Sequence, residues 1–208
     1  MTSKSRILAR LQSARAGSRL PRVDVPPAPA VAAVRPTADA CLLRFEMEAA
    51  ALGMECYVER SPADVRTRLA ALVEGRRVSS WDPGHLPYQT ATALTDPILG
   101  NSTRGEQASA GVGVTGCDAA IAETASLVLF SAPGRSRAVS LLPPFHVAIV
   151  ERAALCFSMA EVFETHRARL RDSASCTLIT GPSRTADIEL TLTLGIHGPG
   201  RVAVIVGP

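Results

Sequence analysis

The chain has 208 residues, 47% of them hydrophobic, with 22 cationic and 19 acidic side chains and a formal net charge of +3. The charge is split: residues 1–22 hold Lys4, Arg6, Arg10, Arg15, Arg19 and Arg22 with no acid, +6, and the remainder sums to −3. The basic balance belongs to an N-terminal arm, which argues against a nucleic-acid-binding body with cations spread over one face, and no apolar run reaches the ~18–20 residues of a membrane span.

In chain order, the arm comes first. Ile7, Leu8, Leu11 and Ala14 share one helical face and Arg6, Arg10 and Arg15 lie mostly off it, the pattern of an amphipathic helix. An acid-free Arg/Ser arm also imitates a mitochondrial presequence; a peripheral docking helix is the preferred reading. Pro21, Pro26, Pro27, Pro29 and Pro36 then forbid a helix interior and predict an extended linker. The expected division is 1–36, helix and Pro-rich linker, and 37–208, an α/β body.

The body opens with a helix capped by Thr37 or Asp39 and ended at Gly53. Met54–Glu59 reads as a strand. Ser61-Pro62-Ala63-Asp64 starts a second helix, with serine as cap and proline at the first helical position; Val65, Leu69, Leu72 and Val73 form its apolar face. Arg77–Trp81 is a short strand and residues 82–88 a turn-rich loop. Val112–Thr115, Ser126–Ser131, His146–Glu151, Cys176–Thr180 and Arg201–Val206 are short buried-strand candidates. Several are apolar on both faces, as in a sheet covered on both sides. Ser158, with Glu161 three residues on, opens a helix to about Arg171 with Val162, Phe163 and Leu170 inward. A hairpin-like excursion around Pro133–Gly134 would make the sheet mixed.

The cysteines Cys41, Cys56, Cys117, Cys156 and Cys176 are odd in number, with no CxxC pair. That speaks against a disulfide framework, a zinc ribbon or an iron–sulfur cluster held by this chain alone, and makes the reducing cytoplasm the expected compartment. Gly111-Val-Gly113-Val-Thr-Gly116 matches GxGxxG on paper. A dinucleotide-binding turn needs a strand before the glycines and an acid about twenty residues on; here the glycines sit on the strand itself and the acid is missing.

Three clusters carry possible chemistry. Asp118 and Glu123 flank Ala119–Ala122, with Thr124 beside them; either carboxylate can act as base or nucleophile, cap a helix or pair with an arginine. Arg135 and Arg137 stand on a Gly-containing turn, as an anion site needs, and His146 begins a strand as a structural histidine would. The third cluster, Thr180-Gly-Pro-Ser-Arg-Thr-Ala-Asp-Ile-Glu189, follows a strand. Gly181 allows a sharp bend, Ser183 and Thr185 bring hydroxyls, Arg184 a bidentate donor, Asp187 and Glu189 acceptors, and His197 sits on a second Gly/Pro loop. Polar residues at a strand's carboxyl end are where open α/β sheets bind ligands.

Taken together, Val112-Gly-Val-Thr, Ala119-Ala-Ile-Ala-Glu-Thr, Ser140-Leu-Leu-Pro, Gly181-Pro-Ser-Arg-Thr-Ala-Asp-Ile-Glu189 and Gly195-Ile-His-Gly-Pro199 resemble the lactate-utilisation protein C family (LutC/YkgG, the LUD domain). The likeness is strong from Val112 to the end and weaker before it. One departure is Ala125, where the family usually has glycine. The resemblance implies a Rossmann-like mixed sheet covered by helices, similar to the sugar-phosphate isomerase and CoA-transferase fold. It implies a subunit of an L-lactate oxidation system working with two iron–sulfur protein partners, with no cofactor bound by this chain. On that reading Arg184 or Arg137 clamps a carboxylate, and Glu123, Asp187 or His197 orients the hydroxyl or moves a proton. Gly181, Ser183, Thr185, Thr124 and Asp118 complete the expected substrate site. The alternatives are a stand-alone isomerase or acyl-transfer enzyme with Glu123 as nucleophile or base, and a non-catalytic interaction module using the arm.

Overall fold

In the computed structural model, residues 3–17, 36–185 and 193–208 are described. Helix α1 (Ser3–Gly17) belongs to an N-terminal unit, Met1–Val34, and Arg35–Pro208 form a second unit. The Pro-rich linker read from sequence falls almost entirely outside the described residues.

The second unit begins with α2 (Ala38–Leu52), β1 (Glu55–Val58), α3 (Pro62–Val73) and β2 (Val78–Ser80). Thr37 accepts the Ala40 amide at 3.2 Å, Gly53 ends α2 at φ 76°, and Ser61 accepts the Asp64 amide at 3.2 Å, so both helices start, and α2 stops, where their capping residues dictate. Two 3-10 turns (Pro83–His85 and Pro87–Ala93) lead to β3 (Ile98–Leu99), α4 (Arg104–Ala108) and β4 (Val112–Gly116). Then follow β5 (Ala119–Ile121), β6 (Ser126–Phe130), α5 (Ala138–Leu141), β7 (Phe145–Glu151) and β8 (Leu155–Cys156). The chain closes with α6 (Met159–Thr165), α7 (Arg167–Asp172), β9 (Cys176–Ile179), β10 (Arg184–Thr185), β11 (Thr193–Leu194) and β12 (Arg201–Gly207).

The main sheet has the order β1-β12-β7-β4-β2-β3, parallel throughout. Its central strands β4, β7 and β12 are buried on both faces, apart from Glu151 and the half-buried Arg201 at their ends, which is why they read as unbroken apolar runs. A second sheet, β8-β5-β6-β9, supplies the antiparallel pairings, and β10 and β11 make a separate two-stranded ribbon. Around Pro133–Gly134 the chain makes a single antiparallel bridge, Ala132 to Arg135, but the flanking strands do not pair with each other, so this excursion is not what makes the pairing mixed. β6 and β7 lie in different sheets, and the antiparallel hairpin is β5–β6.

Ala120, Leu127, Leu129 and Leu155 of the second sheet join the core of the main sheet, whereas Ala119, Ile121, Val128 and Phe130 form a smaller core with Val162, Leu170 and Cys176. Alternation along the strands sends neighbouring residues to these two cores. The helix expected from Ser158 to Arg171 is broken at His166 (φ −104°, ψ 18°), whose ring packs on Phe130 with centroids 5.6 Å apart. Phe163 is 46% exposed rather than inward, because Val162 takes the inward position of this short helix and the next residue lies about 100° round it.

Two glycines of the false GxGxxG set close packing. A side chain at Gly113 would overlap the Val139 carbonyl oxygen of α5, and one at Gly116 would come within 2.8 Å of the His85 carbonyl oxygen. They lie three residues apart on β4 and so face opposite sides: one admits a helix, the other the 83–88 turns. At the amino-terminal edge of the sheet, Arg201 forks onto Glu55 at 2.5 and 2.9 Å and stacks over Phe145 at 4.0 Å. The Arg201 hydrogen bonds hold the Glu55 carboxyl below its usual range.

His146 is fully buried, shares a 2.9 Å hydrogen bond with Thr115 Oγ1 and leaves Nδ1 without a partner. Burial pushes its pKa down to about 4. As pH falls below about 6.5, the unfolded chain takes a proton that the folded one refuses, so stability drops towards pH 4 by about 3 kcal/mol. Denaturant midpoints measured at pH 7 and near pH 4 should show this loss, and His146→Gln should remove its share. Gly113→Ala should cost about 3 kcal/mol through overpacking against α5, read as a lowered melting temperature.

Candidate functional site

The carboxyl edge of a parallel sheet collects strand ends, loops and polar side chains, and there an open α/β fold holds ligands. In this chain β4 ends at Gly116 and β7 at Glu151, on neighbouring strands. Cys117 and Asp118 follow β4, and Trp81 to Pro87 follow β2. These segments enclose a cavity of about 250 Å³ lined by His85, Gly116, Cys117, Asp118, Arg135, Glu151 and Arg169 among others.

Asp118 organises it. Its side chain is only 4% exposed. Oδ2 accepts the Phe130 amide and Arg135 Nη2, each at 2.8 Å, and Oδ1 accepts Arg169 Nη1 at 2.7 Å. Two guanidiniums thus share one carboxylate. A buried carboxylate needs such pairing, since an isolated one would cost several kcal/mol.

The arginines differ. Arg135 is 6% exposed, lies 4.2 Å over the Trp81 ring, and keeps a buried Nε without a partner. Gly134, at φ 75°, supplies the turn that aims it inward. Trp81 is itself fixed by Nε1 donating to the Ser136 carbonyl at 3.2 Å. Arg169 comes from α7, is 47% exposed and sits 5.4 Å over Phe130. His85 Nε2 lies 3.0 Å from the Pro133 carbonyl, which can only accept, so Nε2 carries the proton. Cys117 donates to the Ala119 carbonyl at 2.9 Å, and burial pushes its pKa to about 12, so it stays a thiol.

The sequence-predicted site residues fall in three places. Asp118 belongs to this cavity. Arg137 is exposed and lines a different one, of about 680 Å³, with Arg104, Gln107, Leu141 and Leu142. The others cluster away from both. Glu123 and Thr124 are exposed in the β5–β6 turn, and a chain of hydroxyls runs from Thr124 through Ser126 to Thr180, each step 2.7 Å, beside Gly181 (φ 83°). Ser183 donates its amide to the Pro199 carbonyl at 2.8 Å. Arg184 is exposed and donates to the Leu52 carbonyl at the end of α2, where a cation suits the helix dipole. Thr185 pairs with Thr193 in the ribbon, and His197 is exposed. Asp187 lies outside the described residues.

This corrects one expectation. The 181–185 segment follows the carboxyl end of β9, but β9 belongs to the second sheet. The 195–200 loop runs directly into β12, and α2 into β1, so this group lies towards the amino-terminal edge of the parallel sheet. Arg169, Trp81 and Glu151 were not singled out. Trp81, the sole tryptophan, beside a turn-rich loop was a usable signal; Arg169 meets Asp118 only through the tertiary fold. Ala125 takes a left-handed φ of 47° while fully buried. A glycine is favoured at such a turn for its backbone, which accounts for the family's usual glycine without any ligand.

Fold and site together define a parallel-sheet α/β domain with an arginine-bearing cleft at the carboxyl edge of its sheet. The LUD domain model matches residues 42–206, and the chain belongs to that family. It is similar to lactate utilization protein C of Exiguobacterium sp., 36% identical over 138 residues (62% of this chain, 57% of that protein). The protein of the same name from Bacillus licheniformis is 36% identical over 137 residues (64% and 51%). That of Geobacillus kaustophilus is 30% identical over 171 residues (72% and 71%). The matched region spans about half the length of the first two. The crystal structure of a DUF162 family protein from Deinococcus radiodurans matches with a TM-score of 0.66 and 27% identity, covering 83% of this chain and 99% of that one.

Asp118→Ala should lower stability by about 3–5 kcal/mol, because it strands buried Arg135. Arg184→Ala, at an exposed cap, should cost less than about 1 kcal/mol. Chemical denaturation of the two variants checks the contrast.

Proposed function

We propose that this chain is the carboxylate-binding subunit of an L-lactate oxidation system. The observation that carries the reading is Arg135: a guanidinium buried over Trp81, tied to Asp118 at one nitrogen, with a buried Nε that has no partner, on a residue that lines a cavity of small-molecule size. A ligand carboxylate is the natural partner for that free edge, and charge-assisted bonds to arginine are the strong ones. The curated relatives are named for lactate utilization, and we take L-lactate as the ligand.

Converting lactate to pyruvate removes two electrons and two protons. Among the described residues no group of three or more His, Cys, Asp or Glu side chains is placed to hold a metal ion. We assign the clusters, and the electrons, to two partner proteins. No described helix is long and apolar enough to cross a membrane, and we place the assembly in the reducing cytoplasm, where five cysteines outside any disulfide persist.

Deleting the gene in its host should abolish growth on L-lactate as sole carbon source, and wild-type protein should restore it. Arg135→Lys keeps the charge but loses the Nε donor and the planar stack. It should restore growth poorly and weaken L-lactate binding about tenfold in calorimetry. Undiminished growth after deletion would refute the proposal.

A further inference from the structure

Asp118 and Glu151 each lie two residues beyond the paired Gly116 and Ile149, at the carboxyl ends of neighbouring strands. They line the same cavity, but their situations differ. The carboxylate of Asp118 is saturated by the Phe130 amide, Arg135 and Arg169. Glu151 is exposed at the mouth, and no salt bridge or side-chain hydrogen bond reaches its carboxylate among the described residues. Its acceptors are therefore available in the cavity where Arg135 keeps a buried, unspent donor.

One unspent donor and one unspent acceptor make a complementary pair for a particular ligand shape. The ligand carries a carboxylate for Arg135 and, close to it, a group that donates a hydrogen bond to Glu151. A 2-hydroxy acid has both. A 2-keto acid has the carboxylate, but its carbonyl oxygen can only accept and meets the Glu151 oxygens as a repulsive neighbour. A second carboxylate on the ligand would meet the same repulsion.

We propose that Glu151 is the specificity-determining residue of the site, selecting small 2-hydroxy monocarboxylates over the corresponding 2-keto acids and over dicarboxylates. The inference rests on the carboxylate-binding reading above and adds to it which oxidation state of the ligand is held. A site that hydrogen-bonds a hydroxyl rejects the analogue lacking it. Because Glu151 is exposed to water, the discrimination is about tenfold, well short of a fully buried pair. In an oxidation the same residue favours release of the keto product.

The test is calorimetric titration of the full chain with L-lactate, pyruvate and L-malate, for the wild type, Glu151→Gln and Glu151→Ser, with melting temperatures as a fold check. The expected result is L-lactate bound about tenfold more tightly than pyruvate or L-malate by the wild type, with the lactate–pyruvate ratio near one in both variants. Glutamine can donate to the keto oxygen, and serine removes the charge. Equal binding of lactate and pyruvate by the wild type overturns the assignment of Glu151 while the carboxylate site stands. A preference that survives both substitutions in folded protein also overturns it. Absence of binding by all three acids overturns the carboxylate reading, and this inference with it.

Discussion

One carboxylate ties the body together. Asp118 stands where the main sheet hands the chain to the second sheet. It accepts the Phe130 amide from the end of β6, Arg135 from the following turn and Arg169 from α7. Three stretches of the chain thus meet on two oxygen atoms, with Asp118 and Arg135 nearly out of water and Arg169 half exposed. Such a centre tolerates no lost partner, because the low dielectric that strengthens each bond also penalises an unmatched charge. The same arrangement sets two guanidiniums on the Asp118 carboxylate and still leaves the buried Nε of Arg135 without a partner.

The packing around the cleft follows from small residues on β4 and β12. Gly116 lets the His85–Pro87 backbone lie against the sheet, and Gly207 lets the Tyr88 ring do so, while the Tyr88 hydroxyl donates to the Pro208 carbonyl at 2.6 Å. Glycines that looked like a nucleotide fingerprint are spacers that bring the turn bearing His85 over the strand ends. The cleft is therefore built from backbone proximity and two stacked arginines rather than from a phosphate-binding loop.

Much of the fold was legible because its signals are local. Thr37, Gly53, Ser61 and Ser158 mark helix ends by their own side-chain or backbone chemistry, and β7 and β12 announce themselves as apolar runs too short for anything but buried strands. The site was legible only in part, through Asp118. Of the two arginines on the Gly134 turn, residue type could not tell which turns inward; Trp81, fifty-four positions earlier, decides it by offering Arg135 a ring to lie on. The dense polar run from Thr180 to Thr185 drew attention for a sound local reason, yet strand order sets which end of which sheet it occupies, and strand order is not a local property. Its hydroxyl chain and the Arg184 cap on α2 give those residues structural work away from the cleft.

The net charge also takes on a different sense. The body sums to −3, yet the field felt by a small ligand in the cleft comes from Arg135, Arg169, Asp118 and Glu151 lining it and not from the total. The most direct test is a crystal structure of the full chain with L-lactate. The account predicts lactate at the carboxyl edge of β4 and β7, its carboxylate on Arg135 Nε. Lactate seated instead among Gly181, Ser183, Arg184 and His197 would contradict it.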